Sequence, residues 1–294
     1  MNPLHPRYPR SIELVSNLEE PQISMEYDSD KAGLAWQTEI WNRMSDVYMR
    51  EIDRRFVPVI EQVIARAGLT PGERALDIGA GTGAVALMAA TLVSPGGRVT
   101  GIDISSEMLA FARRRAEELG LDDISFREGR AEAIPADDDA FDVALASLSL
   151  MYVIDRDAAA REIARVIRPG GRLVAAVWAG PEQCDIVRFQ QIVGSFAPTP
   201  PVPGVSPWAL ADPAPFLAQL AAAGIDARVE TATLGFSVDD FASVWEALAG
   251  VTVAKLAAER REAAQAAVMA AMWPHGDGPR HFSNAIHFIT GQRR

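Results

Sequence analysis

The chain has 294 residues, close to half of them hydrophobic, which is ample for a large buried core in one domain or two small ones. Its formal net charge of −11 disfavours phosphate backbones, because nucleic-acid binding draws on counterion release by clustered Lys and Arg. The single cysteine, Cys184, forms no intramolecular disulfide, and one thiol makes no zinc cluster.

The densest basic run, Arg113, Arg114 and Arg115, reads as a solvated helix face. The first residues lack the apolar core of a secretory signal, and no run reaches the roughly 18 apolar residues of a membrane span. These features point to a cytoplasmic protein without an integral membrane span. Residues 1–25, rich in Pro and polar groups, read as a mobile arm. Residues 26–52 read as a helix, with Trp41, Met44 and Tyr48 sharing one face near Trp36.

From Glu73 onward the pattern alternates between strand and helix. Glu73–Ile78 is an apolar run ending in glycines, and Ala84–Leu92 is helical. Arg98–Ile104 is the second strand, after which Ser105 or Ser106 caps a helix with Met108, Leu109, Ala112 and Ala116 inward. Ile124–Glu128 and Phe141–Ser147 are strands three and four. The helix Asp157–Ile167 stops at Arg168-Pro169-Gly170-Gly171, and Leu173–Trp178 is strand five. Strands joined by helices imply right-handed crossovers and a parallel sheet, hence an α/β doubly wound domain over 53–294. Residues 227–234 and 284–290 add two strands around an Ala-rich helical stretch, 238–272. Insertions at about 181–215 and 238–280 read as lid elements, the Pro-rich 197–215 as a loop over the site.

Gly79-Ala80-Gly81-Thr82-Gly83 lets the backbone turn tightly and approach a ligand closely. The helix after it directs amides and a positive dipole end toward the turn. The same run fits a dinucleotide fingerprint, and Asp103 at the end of strand two suits ribose hydroxyls in either case. The loop and its acid therefore indicate a nucleoside-containing cofactor without choosing one. Asp77, inside the strand, can hold an ammonium group, which S-adenosylmethionine has and NAD lacks; its bland alternative is a carboxylate capping loop amides.

The segments LDIGAGTG, GIDISSEML, GRAEAIPADDDAFDVALAS and LMYVIDRDAAAREIARVIRPGG, with the last strand before GQRR, resemble class I methyltransferases of the ubiquinone/menaquinone-biosynthesis type. The resemblance covers residues 36–180 well and the C-terminal third loosely. It implies S-adenosylmethionine as cofactor and a Rossmann-like seven-stranded sheet, order 3-2-1-4-5-7-6, with strand seven antiparallel. It places Gly79, Gly81 and Gly83 along the methionine end with Ala80 between them and Asp77 beside it. Asp103 takes the ribose, Ile104 and Met108 pack on the adenine, and Ala131 offers its amide to the ring. Ser147 and Leu148 lie near the sulfonium. Where the family often has Asp, this chain has Arg130, leaving Glu132 for the adenine amino group.

For the acceptor the expectation is a small, largely apolar metabolite, methylated on carbon, oxygen or nitrogen. Tyr48 and Trp41 on the N-terminal helix, Trp208 in the Pro-rich loop, and Trp245 and Trp273 in the second insertion are candidate covers. Histidine is the first choice for a general base at neutral pH. His281 and His275 precede the last strand, whose start falls at the ligand-binding edge if that strand is antiparallel. Tyr152, just past strand four, can hydrogen-bond an acceptor, whereas His5 and His287 read as arm and core. No metal site and no nucleic-acid partner are expected; a homo-oligomer is possible. A nicotinamide-dependent oxidoreductase and a non-catalytic cofactor-binding protein are the alternatives.

Overall fold

The fold is that of a computed structural model in which residues 20–294 are described, with side chains from Lys31 onward apart from residues 250 and 251. Residues 1–19 of the predicted arm lie outside the described residues, and helix α1 (Glu20–Val47) already covers the remainder of that arm. The predicted 26–52 helix ends at Val47, and a single π-helical turn, Tyr48–Ile52, joins it to α2 (Asp53–Ala67). Such turns recur at functional positions.

Seven strands form one sheet: β1 (Arg74–Ile78), β2 (Arg98–Asp103), β3 (Ile124–Glu128), β4 (Phe141–Ser147), β5 (Ile167–Trp178), β6 (Ile225–Val238) and β7 (Arg280–Arg293). Their order is β3-β2-β1-β4-β5-β7-β6, with β7 antiparallel to both neighbours, as the resemblance implies. Val143 to Ala146 of β4 are fully buried, which is why the central strands read as continuous apolar runs. The crossovers are α3 (Ala84–Val93), α4 (Ser106–Glu118) and α5 (Arg156–Val166). Ser105 is the cap of α4, its hydroxyl accepting from the Met108 amide at 3.1 Å, and the predicted inward face of α4 is buried.

Four departures have local causes. The Pro169-Gly170-Gly171 stop belongs to β5 itself: Ile167 already pairs with Phe141, and the register shifts before Val143 pairs with Arg172. Strands β6 and β7 run past the sheet edge as a two-stranded ribbon, paired as far as Val238 with Arg280. The 238–272 stretch breaks into α8 (Phe241–Val253) and α9 (Ala258–Met272). Helices α2, α6 (Asp185–Gly194) and α7 (Ala214–Ala222) have no counterpart in the sequence reading; the loop reading holds only up to Pro213. Helix α2 buries Phe56, Val59, Ile60, Val63 and Ile64 against the sheet, a 3.6-residue pattern.

Candidate functional site

Strand β1 delivers the glycine turn to the carboxyl edge of the sheet. The Gly79 and Ala80 amides both donate to the Ile102 carbonyl at 2.9 Å, fastening the turn to β2. Gly79, Gly81 and Gly83 all have positive φ, of 71°, 53° and 87°. Their surroundings differ. A Cβ on Gly79 falls 2.4 Å from Ser149 Cβ, and one on Gly83 falls 2.9 Å from Ala112 Cβ. A Cβ on Gly81 meets nothing within 4 Å, because that position opens into a cleft. Two of the glycines thus serve packing, and Gly81 leaves space for a ligand.

Asp103 stands beside Gly81. Its carboxylate accepts from the Gly81 amide and from the Ser105 amide, each at 2.9 Å. Burial pushes its pKa up against these amide bonds. Asp77 behaves differently. It is 1 % exposed and lies behind the turn, facing the Ala86 amide in the first turn of α3. One of its oxygens, Oδ2, has no hydrogen-bond partner. Burial, reinforced by the Asp103 charge, pushes this carboxyl up to about 7. Asp77 is not among the residues that line the cleft, so its carboxyl is set back from the place an ammonium-holding role would give it. Ala80 and Gly83 likewise sit beneath the turn and do not line the cleft.

The cleft offers about 110 Å³ of enclosed space. The predicted cofactor residues Tyr48, Gly79, Gly81, Asp103, Ile104 and Met108 line it on one side. Arg130, Ala131 and Glu132 after β3, and Ser147 and Leu148 at the end of β4, close the other. Glu132 is already engaged, its Oε1 accepting from the Ile154 amide at 3.0 Å and the Asp155 amide at 3.4 Å. Leu148 has φ 56°, uncommon for a side-chain-bearing residue and the kind of strain that gathers at functional sites. Ser149, which the sequence reading missed, donates to the Ile78 carbonyl at 2.6 Å and locks β4 to β1 beside the cleft.

Helix α1 covers this cleft with Leu34, Gln37 and Trp41. The Trp41 ring meets Tyr152 edge-on at 4.9 Å and Tyr48 at 6.4 Å. The contacts continue from Tyr48 to Phe56 at 6.3 Å and from Phe56 to Trp178 at 5.3 Å. Asn42 accepts from Ser105 Oγ at 2.7 Å, and Glu39 pairs with Lys255 at 2.9 Å, so the cover is tied at both flanks. Beneath it, Asp53 accepts from Thr82 Oγ1 at 2.6 Å and pairs with Arg115 at 2.7 Å, linking the start of α2 to the glycine turn. Arg115 therefore belongs to this junction and is not simply part of a solvated face.

Of the remaining candidates, Tyr152 lines the cleft and the two histidines do not. His281 lies on the β6–β7 ribbon, its Nδ1 3.2 Å from Ser237 Oγ, and His275 sits in the turn after α9. The antiparallel sense of β7 does bring its start to the carboxyl edge, but the ribbon carries it beyond the cleft. His287 is half-buried, its ring nitrogens 2.8 Å from Thr231 Oγ1 and 3.1 Å from the Ala211 carbonyl. Trp245 and Trp273 pack with Phe189, Phe241 and Phe282 in an aromatic cluster between α6, α8, α9 and β7. Trp273 also donates to the Gly278 carbonyl at 3.1 Å. Trp208 packs partly buried against the core and does not line the cleft. These three tryptophans are therefore structural where they stand. Burial pushes the phenols of Tyr48 and Tyr152 well above their ordinary range. Among the described residues no group of three or more His, Cys, Asp or Glu side chains is placed to hold a metal ion, and no helix is long and apolar enough to cross a membrane.

A turn open at Gly81, a carboxylate for paired hydroxyls and apolar walls at Ile104 and Met108 fit a nucleoside.

Comparison with known proteins agrees. A family model described as a methyltransferase domain matches residues 69–187. The ubiquinone/menaquinone biosynthesis C-methyltransferase UbiE of Hahella chejuensis is 32% identical over 182 residues, 62% of this chain and 69% of that protein. An uncharacterized protein of Mycobacterium tuberculosis is 38% identical over 116 residues, 40% of this chain, and the match spans only 41% of that protein's length. Among solved structures, the YcgJ protein of Bacillus subtilis matches 80% of this chain and 97% of its own with a TM-score of 0.58 at 22% identity, a likeness of fold. The glycine turn, its neighbouring carboxylate, the strand order and these similarities place the chain in the family of class I S-adenosylmethionine-dependent methyltransferases.

Proposed function

We propose that this protein transfers a methyl group from S-adenosylmethionine to carbon, oxygen or nitrogen of a small, largely apolar molecule. The observation that carries the reading is the opening at Gly81 beside the Asp103 carboxylate, roofed by the aromatic face of α1. When bound, the cofactor supplies an activated methyl on a sulfonium, so the protein's share is to position, orient and exclude water. Asp103 takes the ribose hydroxyls, Ile104 and Met108 pack on the base, and Ser147 and Leu148 face the transfer point. Trp41 and Tyr48 close the cleft from above, and their apolar faces favour an apolar acceptor. Tyr152 keeps its proton, because burial holds its phenol above the ordinary range, and it serves as a hydrogen-bond donor to the acceptor.

The test has two stages. Titration calorimetry with S-adenosylhomocysteine should show saturable binding, and NADH none. Labelled methyl from the cofactor should then appear in small apolar extract components and not in nucleic acid. Binding without transfer to any acceptor would leave a non-catalytic cofactor-binding protein. Absence of binding by folded protein would refute the reading.

A further inference from the structure

The start of β7 carries one polar side chain among apolar ones. Asn284 is 2 % exposed and shares a sheet face with Phe282 and Ile286, its neighbours two residues either way. Its oxygen is committed: Oδ1 accepts from the Ile186 amide, in the first turn of α6, at 2.9 Å and lies 3.4 Å from the Cys184 thiol. A backbone amide can only donate, so the Ile186 bond fixes which way the carboxamide is turned. The amino end, Nδ2, donates to no described residue, nor is it sealed in the core as Asp77 Oδ2 is. It opens instead on a niche that Asn284 helps to line, between α2 and the β6–β7 ribbon. Phe56, Trp178, Phe236 and Ile286 give that niche apolar walls. Its enclosed space of about 10 Å³ suits a single atom-sized group. One ring separates it from the cofactor cleft: Phe56 meets Trp178 on the niche side at 5.3 Å and Tyr48, which lines the cleft, at 6.3 Å.

We infer that Asn284 binds a carbonyl oxygen of the methyl acceptor, so that the acceptor is an apolar molecule carrying a carbonyl group; this rests on the methyl transfer proposed above. Nδ2 offers donors only, because the one acceptor atom of the side chain is already used. A carbonyl oxygen accepts and brings no hydrogen of its own. A hydroxyl would bring one that the apolar walls leave without a partner, which is costly in a buried site. A carboxylate fits less well, since a buried charge needs a counter-charge. The cation at the niche, Arg55, is already paired with Glu51 at 3.0 Å. The apolar body of the acceptor then rests on Phe56 and Trp178, the rings that lead toward the cleft.

The test uses acetophenone and α-methylstyrene, which differ only in carrying C=O or C=CH2. Each is titrated into the full, nitrogen-15-labelled chain loaded with S-adenosylhomocysteine. Acetophenone should move the Asn284 side-chain amide signals downfield and bind roughly three- to tenfold tighter than α-methylstyrene, the worth of one neutral hydrogen bond. It should also slow labelled-methyl transfer to extract components without displacing S-adenosylhomocysteine. Two variants complete the comparison. Asn284→Asp keeps an oxygen for the Ile186 amide and loses the donor, and Asn284→Leu has neither, so it serves if the aspartate variant fails to fold. In either, the preference for acetophenone should vanish while S-adenosylhomocysteine affinity is retained. Equal binding of the two probes by the unchanged chain, or a preference that survives in a folded variant, would overturn the inference. So would acetophenone binding at Asn284 that leaves methyl transfer unaffected, since the niche would then stand apart from the acceptor. If folded protein bound no S-adenosylhomocysteine, the cofactor reading itself would fail, a distinct result.

Discussion

Substituting Ala at two glycines of one turn should separate a packing role from a binding role. In Gly81→Ala the new methyl meets no atom within 4 Å, so the only folding cost is the left-handed backbone at φ 53°. That cost is about 1–2 kcal/mol. The methyl projects into the cleft beside the Gly81 amide bonded to Asp103, so affinity for S-adenosylhomocysteine should fall by roughly tenfold or more, an overpacking effect of about 1–3 kcal/mol. In Gly79→Ala the same backbone cost applies at φ 71°, and the methyl overlaps Ser149 Cβ at 2.4 Å. Displacing Ser149 also strains its 2.6 Å bond to the Ile78 carbonyl. Backbone, overpacking and a weakened bond together give about 3–5 kcal/mol. Urea unfolding measures the first quantity and titration calorimetry the second. The reasoning fails if Gly81→Ala binds the ligand as the unchanged protein does, or if it loses as much stability as Gly79→Ala.

Three further outcomes are expected. Asp77 has a carboxyl raised from 3.8 to about 7 by burial, so the native state holds a proton that the unfolded chain releases. Stability should therefore fall as pH rises from about 4 to about 7, by on the order of 4 kcal/mol at most, and Asp77→Asn should remove that slope in urea titrations at several pH values. Asp103→Asn leaves one oxygen where two now serve the Gly81 and Ser105 amides, and cofactor affinity should drop at least tenfold by calorimetry; unchanged affinity would refute the ribose assignment. Trp41→Ala removes edge contacts to Tyr152 and Tyr48 worth about 0.5–1.5 kcal/mol each, so hydrogen exchange should show reduced protection in residues 31–47 while the sheet is unaffected.

The centre of the sheet was legible because strands such as β1 and β4 are buried on both sides and punctuated by glycine or a capping residue. Ser105 and the inward stripe of α4 could be read directly, and so could the glycine turn with Asp103. Helices α6 and α7 have no side-chain cap to announce them, and the π-helical turn at Tyr48 has no signal in composition. Periodicity could not separate Trp41, which faces the cleft, from Trp245 and Trp273, which face each other's helices, because an aromatic stripe looks alike in both settings. The histidine argument failed on length. Phe288 pairs with Ala176, level with Ser147, and His281 lies roughly 20 Å further along the ribbon.

What the cleft contains also limits its chemistry. Its tyrosines keep their protons, Asp103 and Glu132 are held by backbone amides, and no described histidine reaches it. Asp77, which titrates nearest neutrality, is sealed behind the turn. With no described histidine lining the cleft, the methyl transfer proposed here should draw its rate enhancement from orientation and exclusion of water. The pH dependence of kcat should then follow the acceptor. Two acceptors whose own ionisations differ should give profiles displaced by that difference, whereas a protein base would impose one inflection on both. A shared inflection near neutrality would show that a group outside the described cleft lining enters it in the closed complex, and the positioning account would have to yield to acid–base catalysis.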